Sequence, residues 1–229
     1  LEEQKVLSSI KKLFKDIPVS KKFAKNPVKE SQTKPAVLAH YKKSDQTHII
    51  LGFRSFNLFD KRRYALDVLE DVLGGGMSSR LFQRVREQLG AAYYVRAGSD
   101  LFTDHGFSVI SAGLDNTRTI EVIKAILDEL RKICDKPVTE KELQKSKNHI
   151  IGNFLMGLES SDDLANFYGG QEIARQKIAM PKEIVKKIES VTALEARGVA
   201  RDIIKNRGLN LALIGPFKDK KPFEKILKL

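Results

Sequence analysis

The sequence predicts an α+β domain of two layers: a mainly antiparallel sheet with one face covered by helices and the other open to solvent or a partner. Three observations carry this expectation. Apolar runs of strand length come in two neighbouring pairs, 35–42 with 46–54, and the run from Ala91 with 107–114. Around them lie long stretches with apolar residues at helical spacing, three of them opened by capping-box spacings. Hairpins segregated from helices, rather than strands alternating singly with helices, favour α+β over a parallel sheet.

Taken in order, Val6, Ile10, Leu13 and Phe14 place a helix over 5–16, which Pro18 stops. A polar, Lys-rich, Pro-punctuated stretch to Lys34 then reads as a linker, or an arm laid across something else. The next two apolar runs flank the polar turn Lys43–Asp45 and predict a hairpin. Asp60 is placed to cap a helix along which Ala65, Leu69 and Val72 recur, ending in Gly74, Gly75 and Gly76. Three consecutive glycines are costly in backbone entropy, so this glycine-rich helix junction predicts a tight turn or a close backbone contact. Ser78 and Ser79 restart a helix with Leu81, Phe82, Val85 and Leu89 on one stripe and Arg80, Arg84 and Arg86 largely off it. After Gly90 the pattern alternates, with Tyr93, Val95 and Ala97 on one side of a strand and Tyr94 and Arg96 on the other.

Thr103–Gly106 reads as a turn into the antiparallel strand Phe107–Leu114. Thr117 is expected to cap a helix with Ile120, Ile123, Leu127 and Leu130 inward, stopped before Pro137. Thr139 with Glu142, Ser160 with Asp163, and Thr192 with Glu195 have capping-box spacing. Behind the first box, Leu143, Ile150, Phe154 and Leu158 mark one helical face; behind the last, Val199 and Ile203 mark another. Gly169 and Gly170 weaken the helix after Ser160, and Pro181 sits in a first turn ahead of Ile184, Val185 and Ile188. Gly208 is a stop, 209–215 is a short apolar strand, and Pro216 ends it.

With 229 residues and 41% hydrophobic content the chain can bury a core. No apolar run nears the roughly 18 residues that span a bilayer, so membrane insertion is not expected. Glu2, Glu3 and Lys5 show no signal-peptide pattern; the cytoplasm is the expected location, with the periplasm or an organelle left open. The single Cys134 rules out an intramolecular disulfide and a multi-cysteine metal site, and its helical neighbours Leu127 and Leu130 mark it as a core thiol. A formal charge of +12 raises nucleic acid as a partner. The lysines, however, lie in separate segments interleaved with acids, with no RNP-like aromatic pattern beside them. A solvated basic surface is the expectation, and nucleic acid is not.

None of the four histidines, His40, His48, His105 and His149, forms HExxH or HxxEH, so this chain is expected to bind no metal or other cofactor. The glycine run lacks the phosphate-loop order and follows a helix, and no serine sits in GxSxG. What remains is Arg86 and Tyr93, on either side of the Gly90 turn. An arginine offers a rigid donor fork and a tyrosine a neutral donor, together suited to peptide carbonyls or a developing oxyanion. On residue types alone the plainer arrangement is favoured: Arg86 paired with Glu87 or another carboxylate, and Tyr93 packed under the sheet.

Several ordered motifs add to this. LGGGMSSRLFQRVREQLGAAYYV at 73–95, DHGFSVISAGLD at 104–115, VTEKELQKSKNHIIGNFLMGLES at 138–160, the SVTALEARGVARDII segment and LALIGP at 211–216 stand in consistent spacing. They resemble the second, non-metal-binding homologous half of the pitrilysin/insulinase/mitochondrial-processing-peptidase family of zinc metallopeptidases. QTHIILGF matches the first strands of such a half. The resemblance covers roughly 35–216, making 35–229 the C-terminal peptidase-family domain and 1–34 an interdomain linker with the tail of a preceding half.

The resemblance implies a processing-peptidase-like metallohydrolase half that closes over a homologous HxxEH-containing half, in the same polypeptide or as a separate subunit. Zinc is expected in that partner half, and a peptide as substrate. By spacing, Arg86 would hold a substrate carbonyl and Tyr93 would help stabilise the tetrahedral intermediate; the isolated chain is not expected to be active. Two departures stand out: Ala91 where relatives carry Leu, and Tyr94 where a small residue is usual. Because the family includes non-catalytic members, a structural or assembly subunit with the same fold is the alternative.

Overall fold

The computed structural model describes residues 2–20, 25–175 and 177–229. Its strands β1 (Ala36–Tyr41), β2 (Gln46–Ser55), β3 (Ala92–Leu101), β4 (Gly106–Asp115) and β5 (Asn210–Gly215) form one sheet in the order β1-β5-β2-β4-β3. β3 and β4 make the expected antiparallel hairpin, and β2 pairs with β4 along its whole length, Gln46 opposite Asp115 and Ser55 opposite Gly106. β1 and β2 do not form the expected hairpin. Instead β5 inserts between them, parallel to β1 and antiparallel to β2. Leu211 and Leu213 of β5 are buried whereas β1 buries no residue, so the strand with more core to complete takes the interior place.

Along β2, Thr47, Ile49, Leu51 and Phe53 are buried while His48, Ile50 and Arg54 are exposed. This period-two pattern marks a sheet covered on one face only. The covering layer is built from α2 (Arg63–Gly74), α3 (Thr119–Asp135), α4 (Glu140–Met156), α6 (Pro181–Glu189), α7 (Ala193–Ile203) and the short α8 (Lys221–Ile226). α5 (Ser161–Arg175) follows α4, and α1 (Glu3–Phe14) opens the chain. The α+β, two-layer expectation holds. α2 is central, touching β3, α4, α6 and α7 and burying Leu66, Val68, Leu69, Val72 and Leu73.

Local signals performed unevenly. Thr139 with Glu142 and Thr192 with Glu195 form reciprocal capping boxes, and the Ser160 hydroxyl accepts from the Asp163 N–H while donating to its carboxylate. Thr117 is not the cap of α3. Asp115 caps a 3₁₀ turn over Asn116–Arg118 by accepting from the Thr117 N–H, and α3 starts after it. That turn rotates the stripe, so Ile120 is exposed while Val122, Ile126 and Ile133 join Ile123, Leu127 and Leu130 inside. Leu158 lies beyond the end of α4. Helix α8 was not anticipated; its buried Phe223 stands edge-on to Phe217 within a lysine-rich stretch that masks it.

The expected N-terminal helix is present as α1, but it buries nothing: Val6, Leu7, Ile10, Leu13 and Phe14 are exposed, Leu13 by 76%. Of the linker reading, residues 21–24 lie outside the described residues. The stretch from Lys25 carries neither helix nor strand and is tethered at one end of the sheet, Lys25 to Asp104, Glu30 to Arg54 and Gln32 to Asn210, before β1 begins.

Glu70 on α2 was also not anticipated. It is buried against the sheet, where Ser108 of β4 and its ladder partner Ser99 of β3 donate to the carboxylate. Burial pushes its pKa up to about 7, from an ordinary 4.5, against the opposing pull of the two hydroxyls. The raised folded pKa means its stabilising, protonated form is fully present below about pH 4.5 and is lost as pH rises through about 7. Glu70→Gln is therefore expected to gain on the parent chain between those limits, by about 3 kcal/mol at most. Urea unfolding of both proteins at pH 5 and pH 8 checks this; a constant stability difference across that range would contradict it.

Candidate functional site at the glycine-rich junction

The three glycines end α2 against β3, and each has a separate cause. A Cβ on Gly74 would lie 2.3 Å from the backbone nitrogen of Ala97 and 2.9 Å from the carbonyl carbon of Arg96, so only glycine lets α2 reach the strand this closely. A Cβ on Gly75 would meet the Asp71 carboxylate at 2.1 Å. That carboxylate is 2.6 Å from Nδ1 of His149, whose Nε2 is 3.0 Å from the Asn153 amide. Gly76 faces the same imidazole at ordinary contact distance. The close backbone contact expected of this run is Gly74; the neighbouring pair makes room for Asp71 and His149.

From this junction the chain enters a π-helical segment, Phe82–Gln88, not the expected α-helix. Leu81 and Val85 are fully buried and anchor it beneath β3. At its end Gly90 takes φ of +59°, a left-handed conformation suited to glycine, and the Ala91 N–H returns to the Val85 carbonyl. The Leu89 carbonyl accepts from Arg118, which also pairs with Glu121, tying the turn to α3.

The three arginines of this stretch separate by what holds them. Arg80 makes two hydrogen bonds to Glu142 of α4, holding that carboxyl down at about 2. Arg84 donates to the Gln88 side chain. Arg86 is exposed; its guanidinium lies 5.0 Å from the centre of the Phe82 ring, and among the described residues it has neither hydrogen bond nor ion pair. It is not paired with Glu87, and its N–H donors face solvent.

Tyr93 is placed by an irregularity. Ala92 pairs with Leu114 and Tyr94 with Gly113, so Tyr93 is the extra residue of a β-bulge, without a partner on β4. It is 55% exposed and not packed under the sheet. The bulge also breaks the expected alternation: Val95 points to the core, and Tyr93 does not share its environment. Arg86 and Tyr93 thus flank one turn, both open to solvent, with no hydrogen bond between them among the described residues.

Beyond Tyr93 spreads the uncovered sheet face. His40, Ile214, His48, Gly113 and Tyr94 form one row across all five strands, and Leu38, Ala212, Ile50, Ser111 and Arg96 the next. Leu38, Ile50 and Ile214 are exposed, leaving an apolar band on this face. Tyr94 reaches across Gly113 to His48, its hydroxyl 3.1 Å from Nδ1. Sequence reasoning passed over this contact, because no local signal links residues 46 apart. Among the described residues no three His, Cys, Asp or Glu side chains come together to hold a metal ion, and no helix is long and apolar enough to cross a membrane. Cys134 is half-buried, its thiol pKa pushed up by that burial.

The sequence profile described as the peptidase M16 inactive domain matches residues 1–150. An uncharacterized zinc protease of Streptomyces coelicolor is 37% identical over 179 residues, which are 78% of this chain and 39% of that protein. Another, from Mycobacterium bovis, is 35% identical over 185 residues, 81% of this chain and 42% of that protein. Among solved structures, a protease from Helicobacter pylori matches with a TM-score of 0.84 at 23% identity, covering 94% of this chain and 53% of that one. A peptidase M16 inactive domain from Pseudomonas fluorescens matches with a TM-score of 0.83 at 19% identity, covering 97% and 53%. At these identities the solved structures show the fold. The chain spans about half, or less, of the length of each of these relatives.

The glycine geometry makes a graded prediction. Gly74→Ala must move backbone and is expected to cost several kcal/mol, in the range of an overpacked core. Gly76→Ala meets only ordinary contact and is expected to stay within about 1 kcal/mol. Thermal or urea unfolding of the two variants checks the order; equal stabilities would contradict it.

Proposed function

Because this chain belongs to the peptidase M16 family, matching its inactive domain, we propose that it is the substrate-binding, non-metal-binding half of a zinc metalloendopeptidase. The observation that carries this reading is the uncommitted state of Arg86 and Tyr93 at one turn. Arg80 and Arg84 are engaged within the fold, whereas Arg86 keeps its donor fork free and the bulge lifts Tyr93 out of the ladder. On this reading the Arg86 guanidinium holds a peptide carbonyl through paired N–H donors. The neutral Tyr93 phenol donates to the oxygen on which negative charge develops as the peptide carbon becomes tetrahedral.

Among the described residues none come together as a zinc site, so the water-activating metal is assigned to a homologous HxxEH half. The relatives named zinc proteases are more than twice as long as the matched region, which leaves room for that half in one polypeptide; a separate subunit serves equally. Residues 1–34 are then linker and tail of the preceding half, and the uncovered apolar side of α1 packs onto it. The open sheet face closes over the other half.

The test uses the zinc-loaded protein containing both halves. Tyr93→Phe keeps the ring and loses the donor, so kcat is expected to fall about two orders of magnitude with little change in KM. Arg86→Lys keeps the charge without the fork and is expected to raise KM as well as lower kcat. Parent kinetics in a folded, zinc-loaded Tyr93→Phe protein would overturn the oxyanion role, and the fold would then serve a structural or assembly subunit.

The isolated chain is expected to retain no stoichiometric zinc after chelator washing and to cleave no peptide. Metal analysis decides the first point; one tightly held zinc per chain would sink the assignment of the metal to the other half.

A further inference from the structure

A bulged residue has no ladder partner, so its direction is set by the residues on either side of it. On the N-terminal side of Tyr93 the hold is backbone: buried Ala91 donates to the Val85 carbonyl and accepts from the Asp115 N–H, and Ala92 pairs with Leu114. On the C-terminal side the hold includes a side chain. Tyr94 lies over Gly113 of β4, where a Cβ would come within 2.5 Å of its ring, and meets His48 on β2, one strand farther. The two rings lie 6.1 Å apart, inclined by 28°. The contact therefore joins β3, β4 and β2 at the residue that follows the bulge, and it requires a glycine in the middle strand. Neither partner is needed by the core, since both lie on the uncovered face.

We propose that Tyr94, anchored on His48 across Gly113, is a positioning residue that holds the bulge so that Tyr93 faces its substrate. This rests on the reading of Tyr93 given above. An unanchored Tyr94 leaves only backbone pairing to define the strand after the bulge, and the Tyr93 phenol then spreads over more directions than catalysis can use.

The experiment is a variant series in the zinc-loaded protein containing both halves. Tyr94→Phe keeps the ring over Gly113 and loses the hydroxyl, and His48→Ala loses the partner. Each is expected to lower kcat about three- to tenfold, the weight of one hydrogen bond, at parent zinc content and with a small change in Tm. His48→Asn, which sets a donor and an acceptor near the place of Nδ1, is expected to restore turnover. Gly113→Ala, which forces the ring aside, is expected to match the losses.

In a Tyr93→Phe background neither Tyr94→Phe nor His48→Ala should lower kcat further, because both act through the Tyr93 hydroxyl. Parent kcat in Tyr94→Phe and His48→Ala, with Tyr93→Phe impaired, would overturn the proposal, as would equal losses with or without the Tyr93 hydroxyl. Should Tyr93→Phe itself keep parent kcat, the reading of Tyr93 fails separately. Amide exchange at Tyr93–Val95 then judges the anchor: faster exchange in Tyr94→Phe and His48→Ala supports it, and unchanged exchange overturns it.

Discussion

The approach of Gly74 to the backbone at Arg96 and Ala97 is the constraint on which the rest of the molecule depends. It seats the end of α2 directly on β3, and α2 is the helix that α4, α6 and α7 pack around. From that contact the chain leaves through Gly75 and Gly76, runs along the π-helical segment, reverses at Gly90 and returns into β3 itself. The circuit begins and ends on one strand. Arg86 and Tyr93 both lie on it, so backbone packing brings them to one turn although no hydrogen bond joins them. Both residues keep their donors free, as the proposed peptide site requires.

Polar groups follow the same division between support and surface. Arg80 is bound to Glu142, and Arg118 spans the Leu89 carbonyl and Glu121; both brace the junction from the helical layer. Asp71 and His149 occupy the space left by Gly75 and Gly76. Glu70 lies within the core, where the paired hydroxyls of Ser99 and Ser108 satisfy it and burial favours its neutral form. Against these, Arg86, Tyr93 and Arg96 stand on the exposed side. The charge of +12 is thus not one patch. Some of the 41 Lys and Arg side chains stand in local pairs with acids, such as Lys220 with Glu224 and Arg62 with Asp60 and Asp202, which contribute little at the surface.

Among the described residues, the apolar surface left exposed includes one side of α1 and the band of Leu38, Ile50 and Ile214 on the sheet. Fully burying a leucine- or isoleucine-sized side chain contributes roughly 1.5–3 kcal/mol, and here that contribution is only partly realised. On the proposed function both surfaces meet the homologous half; the relatives this chain matches are about twice its length. The stretch from Lys25 is held at one end of the sheet by Asp104, Arg54 and Asn210.

The sequence by itself determined what depends on near neighbours along the chain. The capping boxes at Thr139 and Thr192, the inward stripes of α2 and α7 and the β3–β4 hairpin were all legible, because helical period, cap spacing and the pairing of neighbouring strands are local properties. The candidate pair Arg86 and Tyr93 was legible as residues and spacing. What made them candidates in space was not: it required the bulge, and the removal of Arg80 and Arg84 into contacts of their own. Only the tertiary structure decided that β5 enters between β1 and β2, that Ile120 turns outward, and that Glu70 goes inside. It likewise decided that Tyr94 meets His48. Each of these outcomes is settled by competition among distant segments for the same buried volume or ladder edge, and that competition leaves no mark on the local pattern of residues.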